Sequence, residues 1–144
     1  MRENMTQVVR ILAGIQSDFG RGFIGNLSKE GHTVQFAKDI SDIFMAIGLY
    51  NQDDPKQPVF NHDYLIMDAH LGSDSNTFRP AEIIYKRIYE SIIDGKIGFI
   101  ALAKDPQILS GARAAEIPVL GMRELTLQCE FYSLIRGETK SNSF

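Results

Sequence analysis

The sequence predicts a doubly wound α/β domain, a single parallel sheet with helices on both faces. Three observations predict it. Short apolar runs recur with almost no polar alternation, the pattern of strands buried on both sides. Each run is followed by apolar residues at helical spacing, and the connections are short and rich in Gly, Pro, Asp and Ser. A length of 144 residues accommodates one such alternation and leaves no room for a second folded unit.

Val8-Val9-Arg10-Ile11-Leu12-Ala13-Gly14-Ile15 is the first strand. Ser17 or Asp18 offers an N-cap to a helix carrying Phe19, Phe23 and Leu27, and Gly31 can take the left-handed conformation that ends it. Thr33 to Ala37 is the second strand, and Asp39 or Ser41 caps a helix with Ile40, Ile43, Phe44 and Ile47 inward. Asn51 to Pro58 is polar and carries two prolines without backbone donors, so it reads as a loop. Tyr64-Leu65-Ile66-Met67 is the third strand, and Pro80 opens a helix with Ala81, Ile84, Ile88 and Ile92 on one face. Gly98 to Ala103 makes the fourth strand. Asp105-Pro106 is a cap with proline at the first helical position, opening a helix through Leu109 and Ala112 to Glu116. Pro118-Val119-Leu120 is the last and shortest strand, and Leu125, Cys129, Tyr132 and Ile135 line a fifth helix.

Alternating strands and helices with short joins require right-handed parallel crossovers. The expected strand order is 2-1-3-4-5, the flavodoxin-like arrangement. In such sheets chemistry sits beyond the carboxyl ends of the strands, at the switch point between the first and third. Ile15-Gln16-Ser17-Asp18 and Asp68-Ala69-His70 are the segments brought there.

Composition narrows the function classes. Fifteen Lys plus Arg against 18 Asp plus Glu give a net charge of −3 with no basic cluster, which argues against nucleic-acid binding. No apolar run approaches the length of a membrane span, Met1 to Met5 open no signal-peptide stretch, and the single Cys129 fits a reducing compartment, so a cytoplasmic protein is expected. No glycine-rich dinucleotide fingerprint, P-loop or nucleophile elbow occurs, and Gln16-Ser17-Asp18-Phe19 is too poor in hydroxyls for a flavin phosphate loop. An independent enzyme is not expected.

The string Tyr64-Leu65-Ile66-Met67-Asp68-Ala69-His70-Leu71-Gly72, in the third of five βα units, resembles the receiver domain of bacterial response regulators. The resemblance runs from about Val8 to Arg136, with residues 1–137 as the receiver-like domain and 138–144 as a polar tail. It implies that Asp68 holds the place of the aspartate that accepts a phosphoryl group from a histidine kinase. It also makes Ala103 the small residue leaving room over the acceptor, with Gln16, Asp18, His70, Leu102 and Lys104 as pocket neighbours.

A working receiver stabilises the transferring phosphoryl group with Mg²⁺ on an acidic pair, a Ser/Thr after the fourth strand and a Lys after the fifth. Here the acidic-pair positions read Ile15-Gln16, or Gln16-Ser17 one residue on, and Asp18 is the nearest carboxylate. Leu102 stands for the Ser/Thr, and Gly121 or Met122 for the Lys, with Arg123 the nearest cation. Pro118-Val119-Leu120 lacks the aromatic switch residue. The expected function is therefore a degenerate, pseudo-receiver signalling module that needs no cofactor and works through protein partners. The alternative is a phosphorylatable stand-alone receiver that takes a phosphoryl group on Asp68 with Mg²⁺, in which Asp18 and Asp68 are the metal-ligand candidates. Otherwise Asp18 reads as a helix cap, and His70 and Lys104 as solvated loop residues, the alternatives being a metal ligand or phosphoryl relay for His70 and a phosphate-binding cation for Lys104. The resemblance also implies residues 106–136, the fourth helix, fifth strand and fifth helix, as the surface through which a homodimer would pair.

Overall fold

The computed structural model describes residues 8–73 and 77–121. Its elements, in chain order, are β1 (Arg10–Gly14), α1 (Asp18–Lys29), β2 (Thr33–Ala37), α2 (Ile40–Ala46), β3 (Tyr64–Asp68), α3 (Arg79–Ile93), β4 (Gly98–Ala103), α4 (Pro106–Ala114) and β5 (Val119–Gly121). All five strands are parallel, in the order β2-β1-β3-β4-β5. Four helices are present among the described residues, and the fifth helix expected at Leu125 to Ile135 lies outside them.

The sheet divides two cores. On one face Leu12, Leu65, Met67, Phe99, Ala101 and Ala103 pack with Ile43, Phe44, Ile84, Ile88 and Ile108 of α2, α3 and α4. On the other, Ile11, Ala13, Ile66, Ile100 and Leu102 pack with Phe23, Ile24 and Leu27 of α1. Burial on both faces is why these strands show no alternation in the sequence.

Element boundaries shift where turn chemistry overrides apolar pattern. Val8, Val9 and Ile15 lie outside the regular part of β1, although Val9 and Ile15 remain buried. The cap of α1 is Ser17, not Asp18, because its side chain accepts from Gly20 N–H and leaves Asp18 as the exposed first helical residue. Asp39 caps α2 by accepting from Asp42 N–H, and Asp105 caps α4 by accepting from Gln107 N–H. Helix α3 begins at Arg79, one residue before Pro80, and α4 stops at Ala114 rather than Glu116. Glu116 itself lies at φ 64°, a left-handed conformation that cannot continue a helix. Gly31 adopts φ 99° just after α1, the conformation its position called for.

Candidate functional site

The crossover order brings the β1–α1 turn and the end of β3 together. Asp68 is the last residue of β3, with its side chain on the α1 face of the sheet. It is 0% exposed. A carboxylate cannot be buried unpaired without a cost of several kcal/mol, so its partners decide whether the fold tolerates it.

Those partners all come from the β1–α1 turn. Asp68 Oδ2 accepts from the backbone N–H of Gln16 at 2.7 Å and of Ser17 at 2.8 Å. Its Oδ1 accepts from the Ser17 hydroxyl at 2.9 Å, and Ser17 Oγ in turn accepts from Gly20 N–H at 3.2 Å. Asp68 therefore fills the amide nest at the N-terminus of α1, where the helix dipole also favours negative charge. Gly20 makes the close approach possible: a Cβ there would lie 2.8 Å from Ser17 Oγ, 2.9 Å from Ile15 Cγ2 and 3.2 Å from Asp68 Oδ1. There is a second tie: Gln16 Oε1 accepts from Gly72 N–H at 2.8 Å and links the β3–α3 loop to the β1–α1 turn. Gly72 has φ 77°, which suits glycine at this bend.

The remaining candidates fall unevenly around this clamp. Leu102 is Asp68's registered neighbour on β4 and shares its face of the sheet, fully buried in the α1 core. Ala103 points to the opposite face, among the residues packed under α2, α3 and α4, so it does not stand over Asp68. Lys104 is exposed beyond β4. His70 is half-buried rather than solvent-facing, with Nδ1 enclosed and without a hydrogen-bond partner. Asp18 is exposed on α1. Gly14, Ile15, Gln16 and Ser17 span the turn without a carboxylate, and Ile15 is buried in the α1 core. Among the described residues, no three His, Cys, Asp or Glu side chains gather where they could share a metal ion. Gly121 ends β5 in a buried position, and Met122 and Arg123 lie outside the described residues.

The sequence marks Asp68 but not its clamp. By sequence Ser17 reads as a cap and Gln16 as an empty ligand position, whereas in the structure both serve as donors or ties to the β3 end. The available signal was the pairing of a capping serine with a glycine three residues on, Ser17 and Gly20, directly after a buried strand.

No family model matches the chain, and no curated protein matches it in sequence. Solved structures match it in fold. NtrX from Brucella abortus, a response regulator, superposes with a TM-score of 0.54 at 17% identity over 91% of this chain. NtrX in complex with ADP gives a TM-score of 0.57 at 16% identity over 95% of this chain. This chain spans 29% of the length of NtrX in both cases. A fusion carrying the yeast Spc42 trimeric coiled coil matches with a TM-score of 0.54 at 17% identity, over 94% of this chain and 84% of that one. The chain thus shares its fold, a five-stranded parallel sheet in the order 2-1-3-4-5 with flanking helices, with part of NtrX. No helix among the described residues is long and apolar enough to cross a membrane.

Proposed function

We propose that this chain is a pseudo-receiver: a signalling module of two-component type that acts by protein–protein interaction, with Asp68 serving as a structural latch and not as a phosphoryl acceptor. The observation that carries this reading is the clamp. Both Asp68 oxygens are taken up by donors of the β1–α1 turn, and the residue has no exposed surface. In-line transfer needs an approach to one carboxylate oxygen, and it needs cationic groups where charge develops on the phosphoryl oxygens. Here Asp68 has no exposed surface to approach, the Gln16–Gly72 hydrogen bond ties the two loops beside it, and Leu102 stands on the face where a hydroxyl would be needed. Without a hydroxyl to pull or an aromatic to follow, the module lacks the bistable element through which a phosphoryl group would change its surface.

The placement of Asp68 at the carboxyl end of the central strand favours one other reading, a phosphorylatable stand-alone receiver that uses Mg²⁺ and a histidine kinase. Intact-protein mass spectrometry after incubation with acetyl phosphate and Mg²⁺ separates the two. The pseudo-receiver stays at its unmodified mass. A gain of one phosphoryl group, absent from Asp68→Asn, overturns the latch and establishes the acceptor.

A further inference from the structure

We propose that the open edge of the sheet, strand β2, is the docking site of a protein partner that presents an extended acidic segment and adds it to the sheet as a further strand. The proposal rests on reading the chain as an interaction module, and it names the chemistry of the partner. Among the described residues, strand β2 has β1 on one side and no strand on the other. Thr33 N–H donates to Val9 O, so by the alternation of a parallel ladder Thr33, Gln35 and Ala37 bond inward while the N–H and C=O groups of Val34 and Phe36 point outward. Proteins usually guard such an edge with lysine, proline or a bulge. Thr33-Val34-Gln35-Phe36-Ala37 contains neither lysine nor proline.

The side chains around this edge are not neutral in character. Phe36 is 61% exposed, a large apolar surface on an edge strand. Together with Ile15, Ala37, Arg21, Lys38 and Asp42 it lines a cleft of about 590 Å³ at the carboxyl end of β2. Arg21 and Lys38 are both exposed cations against one lining acid, Asp42, which accepts from the Lys38 backbone N–H at 3.1 Å and keeps its charge, so the lining is cationic by one charge. On the opposite face, Gln35 Oε1 pairs with His62 Nε2 at 2.9 Å and braces the strand. An added strand would take its backbone hydrogen bonds from Val34 and Phe36, lay an apolar side chain against the Phe36 ring, and set carboxylates beside Arg21 and Lys38. A second copy of this chain would bring the same uncharged strand Thr33–Ala37, which carries no carboxylate for those cations. Charge complementarity therefore selects an acidic segment.

The test uses the full chain and two fluorescent synthetic peptides of alternating valine and threonine, one flanked at both ends by glutamates and the other by lysines. Fluorescence polarisation is expected to show the acidic peptide bound at least tenfold more tightly, with affinity falling as salt is raised. Val34→Pro removes an outward N–H without breaking the ladder to β1, and is expected to weaken binding about tenfold. Arg21→Glu with Lys38→Glu is expected to reverse the preference between the two peptides. Equal affinity for both peptides, no binding of either, or binding indifferent to Val34→Pro would overturn the proposal. Self-association of the free protein that Val34→Pro abolishes would overturn it too, by assigning the edge to a second copy. The phosphodonor experiment bears on Asp68 alone. A chain that resists phosphorylation but ignores the acidic peptide keeps the module reading and loses this one, and a phosphorylated chain that binds the peptide does the reverse.

Discussion

Substitution of Asp68 distinguishes a latch from an acceptor by its effect on stability. In the native protein three donors, Gln16 N–H, Ser17 N–H and Ser17 Oγ–H, converge on one buried carboxylate. Asp68→Ala leaves two backbone donors orphaned and opens a small void. Hydrogen bonds to charged groups contribute about 1.5–3 kcal/mol each and are not additive, so the loss should be about 3–5 kcal/mol. Asp68→Asn keeps the shape. Its carbonyl oxygen can accept both backbone N–H groups while its amide donates to Ser17 Oγ, so the charge and the acceptor of the Ser17 hydroxyl proton are lost, at about 1–2 kcal/mol. Equilibrium urea unfolding of the three proteins measures both differences, with unchanged slopes confirming that the denatured states are comparable. A functional acceptor is held for chemistry at a cost to stability, and its removal leaves the fold as stable or more so. Asp68→Ala within about 0.5 kcal/mol of the parent, or above it, would refute the latch.

Three other outcomes follow from the same geometry. In α1, Gly→Ala ordinarily gains up to ~1 kcal/mol, and Gly22→Ala and Gly25→Ala, with nothing near their added Cβ, should do so; Gly20→Ala, whose Cβ would meet Ser17 Oγ at 2.8 Å, should instead lose about 1–3 kcal/mol in the same unfolding assay. Calorimetric titration should detect no Mg²⁺ site that depends on Asp68, since no second carboxylate stands in the β1–α1 turn; micromolar binding abolished by Asp68→Ala would contradict this. Burial, reinforced by the Arg10 charge and opposed by Asp63, pushes the pKa of His62 below its ordinary value. The fold therefore favours the neutral ring: its contribution is complete above the unfolded value of ~6.5 and is lost as pH falls through the lower folded value. Thermal unfolding across that range should show the loss, and His62→Gln should flatten it.

The sheet was legible in the sequence because strands covered on both faces cannot alternate. Leu65-Ile66-Met67 and Ile100-Ala101-Leu102 feed two cores at once, and that demand leaves continuous apolar runs between capped helices. Right-handed parallel crossovers followed from chirality and short connections, the order 2-1-3-4-5 was the flavodoxin-like expectation, and Asp68 was singled out by the resemblance of the string that ends the central run. Helix ends were less legible, since Glu116 has an ordinary helical side chain and only its backbone at φ 64° closes the segment.

What tertiary structure alone decided is which groups surround Asp68. A carboxylate at the end of a central strand is compatible with accepting phosphate, ligating metal or capping a helix, and the three differ only in which groups lie within about 3 Å of its oxygens. Residues 16 and 17 are some fifty positions away in the chain, and no local pattern records that their amides converge on it. The direction of Ala103 was hidden for a similar reason: one residue along a strand reverses the face, so the neighbour of Asp68 is Leu102, whose only contribution there is apolar volume. Residue types limit the chemistry a site can perform, but the chemistry it performs depends on which donors the fold aims at it.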